Sequence, residues 1–279
     1  MNAAEFLEQQ KGDWTDLDAQ LILAHVIDRP RTWILAHLET QLTQSQIDSA
    51  QTEFSKLKDG TPLPYILGHW EFFGLDFDIT NEVLIPRPET ELLVEKAIAW
   101  LKESPERRTM ADIGTGSGAI AASIAMHVPD ARILATDISM SALHVAKHNA
   151  LKFHVHHRID FLQCDLLPHP VDFLPTDSHF DLICANLPYI PTKALHQLPI
   201  YGKEPTLALD GGEDGLEVYR HLFKLAPGWL APRGMMLLEI ESTLGVKALS
   251  LAFDSFSDVT IHLHQDLTGR DRLLEIMFT

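Results

Sequence analysis

Four consecutive residues, Asn186-Leu187-Pro188-Tyr189, have the types and the spacing to carry chemistry. They follow the apolar run Phe180–Ala185 and so come at the carboxyl end of a predicted strand, where open α/β sheets bind ligands. Asn186 offers a side-chain carbonyl oxygen and Leu187 a backbone carbonyl, two acceptors side by side. Pro188 stiffens the loop and Tyr189 offers a flat ring. Two adjacent acceptors fit one NH2 group, which has two hydrogens to donate.

An NH2 group held in this way can act as a nucleophile even when it belongs to an amide. An amide nitrogen is unreactive because its lone pair is delocalised into the carbonyl group. Acceptors on both of its hydrogens stabilise the positive charge that develops as the nitrogen attacks. Positioning of the reactants contributes on the order of several kcal/mol. The loop therefore predicts group transfer to an NH2 nitrogen, without a metal ion or a covalent enzyme intermediate.

A second candidate site is a glycine-rich segment of five consecutive residues: Gly114, Thr115, Gly116, Ser117 and Gly118. It follows a short predicted strand and opens a predicted helix. Glycines at such a turn let the chain bend tightly and let a ligand lie against the backbone. The spacing Gly114-x-Gly116-x-x-Ala119 also satisfies the dinucleotide fingerprint. The segment alone thus predicts a nucleoside cofactor without deciding which one.

Three further residues end neighbouring predicted strands at the same sheet edge. Asp137 ends the second strand, where a carboxylate can accept hydrogen bonds from both ribose hydroxyls. Its alternative role is that of a helix cap, since Ser139 and Ser141 follow. Asp165 and Leu166 end the third strand and are placed to contact an adenine ring. These positions predict a cofactor pocket along one edge of the sheet.

The elements that position these residues alternate between strand and helix from residue 109 onward. Such alternation predicts an α/β fold with a doubly wound, Rossmann-like, mostly parallel sheet. Seven runs are predicted strands: Met110–Ile113, Arg132–Thr136, Arg158–Gln163, Phe180–Ala185, Met235–Ile240, Val259–His264 and Leu273–Phe278. Helices are predicted at Ala119–Met126, Ser141–Leu151 and Gly215–Leu225. Only a short polar stretch joins the last two strands, so we expect that pair to be antiparallel.

The residues before this region predict a small helical domain over 1–65. Asp16 can cap a helix that runs through Val26, and Pro30 lies beyond its end. Thr43 precedes another helix, which extends to about Lys58.

Residues 66–85 predict a β-hairpin linker, and 86–279 form the α/β domain. Leu75, Phe77 and Ile79 alternate with polar residues as in a strand, and Val83–Ile85 is its expected partner after a turn at Asn81. The aromatic residues Trp70, Phe72 and Phe73 either line a substrate pocket or pack a hinge. Beyond the hairpin, Arg87 either orients a substrate or pairs with a carboxylate.

The composition sets bounds on partners and compartment. The chain has 279 residues and a net charge of −17, which repels phosphate backbones, so we expect no stable binding to nucleic acids. Only two cysteines occur, Cys164 and Cys184, and we expect both to be reduced and buried in strands. No signal peptide is recognisable, and no apolar run reaches the roughly 18 residues of a membrane span. We expect a cytoplasmic monomer that does not enter membranes.

Taken together, the motifs resemble those of the release factor glutamine methyltransferases (PrmC/HemK), which are class I S-adenosylmethionine-dependent enzymes. The match covers almost the whole chain and rests on these segments: Asp112–Gly118, Asn186–Tyr189, Pro64–Gly68, Ile85–Glu91, Glu204–Pro205, Leu209–Leu216 and Asp266–Arg272. The resemblance implies a seven-stranded methyltransferase sheet with S-adenosylmethionine as cofactor. It implies that the substrate is the glutamine in the Gly-Gly-Gln loop of peptide chain release factors, which the N-terminal helices would grip.

The resemblance also implies roles for individual residues. Gly114–Gly118, Asp137 and the pair Asp165 and Leu166 would contact the cofactor, and Asn186–Tyr189 would hold the glutamine amide. The sequence departs from the family at Leu187, where a proline is usual. A leucine keeps the backbone carbonyl, so we expect the same chemistry in a less rigid loop. Leu166 stands where relatives often have an aromatic residue, so the adenine packing would be aliphatic.

Three other functions stay open on the residues alone. An adenine-N6 nucleic-acid methyltransferase also binds an NH2 group, but it flips its base and needs basic contacts to the strand. A nicotinamide-dependent oxidoreductase would explain the glycine loop and Asp137 but leaves Asn186 unused. A non-catalytic binding module would keep the cofactor pocket alone.

Overall fold

The computed structural model describes residues 1–10, 12, 14–168 and 179–279. The chain divides into two compact units, Met1–His69 and Trp70–Thr279. In the part of the chain so described, no helix combines the length and the apolar character that crossing a membrane requires.

The first unit is helical, as predicted. Its helices are α1 (Ala3–Gln9), α2 (Asp16–Ile27), α3 (Arg31–Ala36), α4 (Gln44–Lys58) and α5 (Leu63–Leu67). Their buried side chains include Phe6, Ile22, Leu23, Ile34 and Phe54.

The predicted helix starts are right for one helix and wrong for another. Thr43 precedes α4, as expected, and its side chain caps the helix. Asp16, however, is the first residue of α2 and not its cap. The cap is Thr15, whose Oγ1 accepts the Asp18 N–H at 3.2 Å while the Asp18 carboxylate accepts the Thr15 N–H at 2.9 Å. This reciprocal capping box satisfies two amide groups that the helix cannot.

The predicted hairpin exists, but its strand pairing was wrong. Strand β1 (His69–Phe72) pairs with β2 (Leu75–Asp78), and Val83–Ile85 lies outside any strand. The two turn residues, Phe73 and Gly74, have φ of 53° and 71°. Two consecutive positive φ values give the tight turn whose twist matches that of paired strands. The second strand of the hairpin therefore ends at Asp78, and Val83 and Leu84 line the cavity described below.

The second unit is built on a sheet that has seven strands in the described part of the chain, which confirms the predicted fold class. The strands are β3 (Thr109–Ile113), β4 (Arg132–Asp137), β5 (Ile159–Gln163), β6 (Phe180–Ala185), β7 (Leu230–Glu239), β8 (Val259–Gln265) and β9 (Asp271–Phe278). Their order is β5-β4-β3-β6-β7-β9-β8. Strands β3 to β7 pair in parallel, and β9 is antiparallel to both of its neighbours, as expected for the last pair.

Helices connect most of these strands. They are α6 (Glu91–Glu103), α7 (Ala119–His127), α8 (Met140–Lys152), α9 (Thr192–Leu195), α10 (Glu217–Leu225) and α11 (Gly245–Ser255). Helix α10 begins at Glu217 and not at the predicted Gly215, because Gly215 has a φ of +82° that a right-handed helix does not accept. The large buried side chains of this unit include Tyr219 and Trp229, which share one core cluster with residues of β3, β6 and β7.

The cysteine prediction was half right. Both thiols are free, and Cys184 is fully buried in β6. Cys164 follows the end of β5 and is only partly buried. Burial still raises the pKa of the Cys164 thiol to about 11, so the thiolate is scarce at neutral pH.

Candidate active site

A cavity of about 420 Å³ lies in the second unit, at the carboxyl ends of β3, β4 and β6. Because β3 connects to β4 on one side and lies beside β6 on the other, this is the point where the strand order reverses. Ligands of open α/β sheets bind at such a point. Eleven of the predicted site residues line the cavity: Arg87, Gly114, Thr115, Gly116, Ser117, Asp137, Asp165, Leu166, Asn186, Leu187 and Pro188. Gly118 and Tyr189 do not.

The glycine loop exposes backbone to this cavity. Gly114, Gly116 and Gly118 have φ of 68°, 55° and 79°, values that side chains rarely allow. A Cβ placed on Gly116 would meet no atom within 4 Å, so the missing side chain leaves open space. A Cβ on Gly118 would lie 3.1 Å from the Cα of Ala146 in α8. Gly118 therefore permits close packing of α7 on α8, whereas Gly116 faces the cavity.

Asp112 holds the glycine loop through hydrogen bonds. Its Oδ2 accepts the Thr115 hydroxyl at 2.6 Å and the Ala121 N–H at 3.2 Å. Its Oδ1 is buried without a hydrogen-bond partner within the described residues. Burial raises the pKa of Asp112 to about 7. Asp112 thus fixes the glycine loop, although its burial makes the ionised form of the carboxylate less stable.

Asp137 lines the cavity and is not a helix cap. The cap of α8 is Ser139, whose hydroxyl accepts the Ala142 N–H. The two carboxylate oxygens of Asp137 accept the N–H groups of Gly116 and Ser139, each at 2.9 Å. Each oxygen can accept one more hydrogen bond, as two ribose hydroxyls would require. Burial raises the pKa of Asp137.

Asp165 and Leu166 also line the cavity, and the backbone at Leu166 is constrained. Leu166 has a φ of 60°, and its carbonyl accepts the Thr136 hydroxyl at 2.6 Å. Its side chain is 8% exposed and gives this wall an aliphatic surface. Adenine packing against it, as the sequence suggests, stays a prediction.

The Asn186 amide group is oriented by a neighbour that sequence reasoning missed. Its Nδ2 donates to the hydroxyl of Thr90 at 3.1 Å, and Thr90 donates to Glu239 Oε2 at 2.5 Å. Asn186 Oδ1 makes no hydrogen bond among the described residues and is available to a ligand in the cavity.

The backbone carbonyl of Leu187 keeps acceptor capacity as well. The hydroxyl of Tyr219 lies 3.5 Å from it but makes a much shorter contact with the carbonyl of Glu239. A hydroxyl has one hydrogen, which Tyr219 directs mainly to Glu239, so Leu187 O receives at most a weak hydrogen bond and can accept another. The Leu187 side chain is 2% exposed and faces Gly114, where a Cβ would lie 3.4 Å from Leu187 Cδ2. The leucine thus fills space against the glycine loop.

Tyr189 is turned away from the cavity lining. Its ring packs against the core cluster, and its hydroxyl donates to Glu239 Oε1 at 3.3 Å. Burial raises the pKa of the Tyr189 hydroxyl, which therefore keeps its proton. Glu239 is fully buried, and burial raises its pKa to about 7. The available signal for Glu239 was its position at the carboxyl end of β7, at the same sheet edge as the predicted site.

Arg87 lines the cavity and forms an ion pair. Its Nη2 lies 2.6 Å from Glu204 Oε1, and the other oxygen of Glu204 accepts the Ile85 N–H at 3.1 Å. Of the three aromatic residues before it, Phe72 lines the cavity, and Phe73 packs edge-on against His127 at 5.1 Å. Trp70 is not part of the lining.

Comparisons with known proteins point to a methyltransferase family. Residues 1–68 match the PrmC N-terminal domain, and residues 110–198 match a methyltransferase domain. A methyltransferase of known structure from Pyrococcus furiosus has a TM-score of 0.51 and 19% identity, covering 74% of this chain and 90% of its own; it shares the fold.

Two curated relatives align over nearly their full lengths. The release factor glutamine methyltransferase of Moorella thermoacetica is 43% identical and covers 92% of this chain and 89% of its own. The protein of the same name from Rhodopirellula baltica is 33% identical and covers 98% and 92%. These matches confirm the resemblance seen in the motifs: the chain belongs to the release factor glutamine methyltransferase family, whose members are S-adenosylmethionine-dependent.

Proposed function

We propose that this protein transfers a methyl group from S-adenosylmethionine to the side-chain amide nitrogen of the glutamine in the Gly-Gly-Gln loop of peptide chain release factors. The observation that carries the proposal is that Asn186 and Leu187, which carry two acceptors with unused capacity, line the same cavity as the glycine loop. The names of the curated relatives support the substrate.

The cavity fits the cofactor in shape and chemistry. Its volume of about 420 Å³ lies within the range of roughly 300–1,000 Å³ typical of small-molecule sites. Gly116 leaves space beside exposed backbone, Asp137 has unused acceptor capacity for ribose hydroxyls, and Leu166 gives an apolar wall. When bound, S-adenosylmethionine supplies a methyl group that its sulfonium makes electrophilic.

The Asn186 loop would prepare the amide nitrogen. Asn186 Oδ1 and Leu187 O would each accept one N–H, which orients the nitrogen lone pair away from them and stabilises the positive charge that grows on nitrogen. Acceptors fixed in advance do this without reorganising during the reaction. The nitrogen gains a methyl group and gives up one proton to solvent.

Leu187 is compatible with this mechanism. The group needed from this position is the backbone carbonyl, which any residue carries. The burial of its side chain against Gly114 restrains the loop by packing where a proline would restrain φ. We propose the same chemistry as in relatives that have proline here.

The remaining assignments are part of the same proposal. The helical unit would contact the release factor, and Arg87 would contact the substrate loop while held by Glu204. We propose that the protein acts in the cytoplasm as a monomer and does not bind nucleic acids stably. The acidic net charge of −17 supports the last point.

The test is methyl transfer by purified protein to a purified release factor. Wild-type protein should release S-adenosylhomocysteine in step with methylation, and Asn186→Ala should lower kcat by roughly 10²- to 10³-fold, the usual effect of removing one transition-state hydrogen bond. A release factor whose loop glutamine is replaced by alanine is the matched substrate control. Methylation of adenine in DNA with an unmodified release factor would overturn the proposal, as would full activity of Asn186→Ala.

A further inference from the structure

A chain of hydrogen bonds runs from the buried end of β7 to the Asn186 amide. Glu239 Oε2 accepts the Thr90 hydroxyl at 2.5 Å, and Thr90 Oγ1 accepts the Asn186 Nδ2 group at 3.1 Å. Thr90 is 4% exposed and Glu239 is 2% exposed. The three groups come from three separate segments: the turn before α6, the end of β7 and the loop after β6.

The number of hydrogens that each group can donate determines the direction of donation along these hydrogen bonds. A threonine hydroxyl has one hydrogen, and an ionised carboxylate can only accept. Thr90 therefore donates to Glu239 and can only accept from Asn186. The Asn186 atom that faces Thr90 must then be the NH2 group, which turns Oδ1 toward the cavity.

This orientation matters because an asparagine amide has two orientations of almost equal shape. In the reversed orientation, Asn186 would present its own NH2 to the NH2 of the substrate. Two donors facing each other cannot form a hydrogen bond, and the acceptor pair with Leu187 O would be lost. Catalysis thus needs an interaction that selects one of the two orientations of the Asn186 amide.

We propose that Thr90 is a positioning residue that selects this orientation. Through its hydrogen bond to Glu239, it keeps the carbonyl oxygen of Asn186 turned toward the amide group to be methylated. The inference rests on the proposed function, because it assigns a role within the same reaction. Thr90 lines the same cavity, but the role argued for it acts through Asn186.

The charge state of Glu239 has a part in this mechanism. A protonated Glu239 can donate to Thr90, which can then donate to Asn186 Oδ1 and reverse the chain. Burial raises the pKa of Glu239 to about 7, and the charged or titratable groups near it are Tyr189 in the loop after β6, Arg272 in β9, Tyr219 in α10 and Glu89 in the turn before α6. Because the ionised form is the one that orients Asn186, kcat should fall as the pH drops below about 7.

The test compares Thr90→Val, which keeps the shape and removes the hydroxyl, with Thr90→Ser, which restores it. The matched control is Thr109→Val, since the Thr109 hydroxyl also bonds a carboxylate, that of Asp181 at 2.8 Å, at the opposite edge of the sheet. We expect Thr90→Val to lower kcat roughly 10- to 100-fold with little change in the KM for the release factor, and Thr90→Ser to recover most of the loss. Thr109→Val should lower stability and leave kcat unchanged.

The outcomes separate the inference from the proposed function. If wild-type protein does not methylate the release factor, the proposed function fails first. If wild-type protein methylates it and Thr90→Val has the same kcat as Thr109→Val, the positioning role is overturned. The pH profile gives a second readout: the fall of kcat below about pH 7 should be lost in Thr90→Val and kept in Thr90→Ser, and the same fall in wild type and Thr90→Val would also overturn the positioning role.

Discussion

The glycine loop offers a prediction in which two neighbouring glycines have opposite roles. Gly118→Ala should destabilise the protein, and Gly116→Ala should instead weaken cofactor binding. Both positions have positive φ, so each alanine costs about 1–2 kcal/mol of backbone strain. Only at Gly118 does the new Cβ approach another backbone, 3.1 Å from the Cα of Ala146.

The size of each effect follows from these contacts. Forcing α7 away from α8 costs a further roughly 1–3 kcal/mol, so Gly118→Ala should lose about 2–5 kcal/mol in total. At about 2–4 °C per kcal/mol for a unit of this size, its Tm should fall by roughly 4–20 °C. Gly116→Ala should lose less stability, but its methyl group enters the cavity and should weaken S-adenosylmethionine binding about tenfold or more, equivalent to roughly 1.4 kcal/mol.

Calorimetry provides both readouts, from thermal unfolding and from titration with S-adenosylmethionine. Gly118→Ala should bind the cofactor within about threefold of wild type at temperatures where it is folded. A Gly116→Ala variant that is less stable than Gly118→Ala, or a Gly118→Ala variant that unfolds at the wild-type temperature, would refute the roles assigned to the two glycines.

Two other predictions concern a buried carboxylate and the unusual leucine. The pKa of Asp112 is raised from 3.8 to about 7, so its contribution to stability is present at low pH and lost as the pH rises from about 4 to 7. Asp112→Asn should therefore flatten the decline of unfolding free energy over that window by up to about 1.4 kcal/mol per pH unit, and an unchanged slope in denaturant titrations would contradict the assigned burial. Leu187→Pro should keep kcat within about threefold, because the backbone carbonyl is retained. It should lose roughly 1–3 kcal/mol of stability, because the packing of the leucine side chain against Gly114 is removed. A large fall in kcat at unchanged stability would show that the leucine side chain acts in the reaction.

The parts of the fold that could be predicted are those that leave a local pattern in the sequence. The alternation of apolar runs with helices determined the α/β class, and the short polar link around Gly269 was enough to predict the antiparallel last pair. The hairpin pairing was wrong because Val83–Ile85 has the apolar composition of a strand, and nothing in that pattern shows that His69–Phe72 is the actual partner. The choice is made at Phe73, whose positive φ is unusual for a large side chain and leaves no sign in an apolar pattern.

The site shows the same division between local and distant signals. The glycine loop and Asn186 were found because each stands at a strand end within a recognisable local segment. Thr90 and Glu239 were missed because their importance comes from meeting each other across 149 residues of sequence. The hydrogen bond from the Tyr189 hydroxyl to Glu239 was missed for the same reason, because Glu239 lies 50 residues away in the sequence.

Mass spectrometry of a release factor incubated with this protein and S-adenosylmethionine tests the proposed methyl transfer most directly. Fragmentation of the peptide that contains the Gly-Gly-Gln loop should place one methyl group on the side-chain nitrogen of its glutamine, and Asn186→Ala should leave that peptide almost unmodified. If the protein is folded and binds S-adenosylmethionine but the peptide stays unmodified, the proposed glutamine methylation is contradicted. A methyl group on any other residue would contradict it as well.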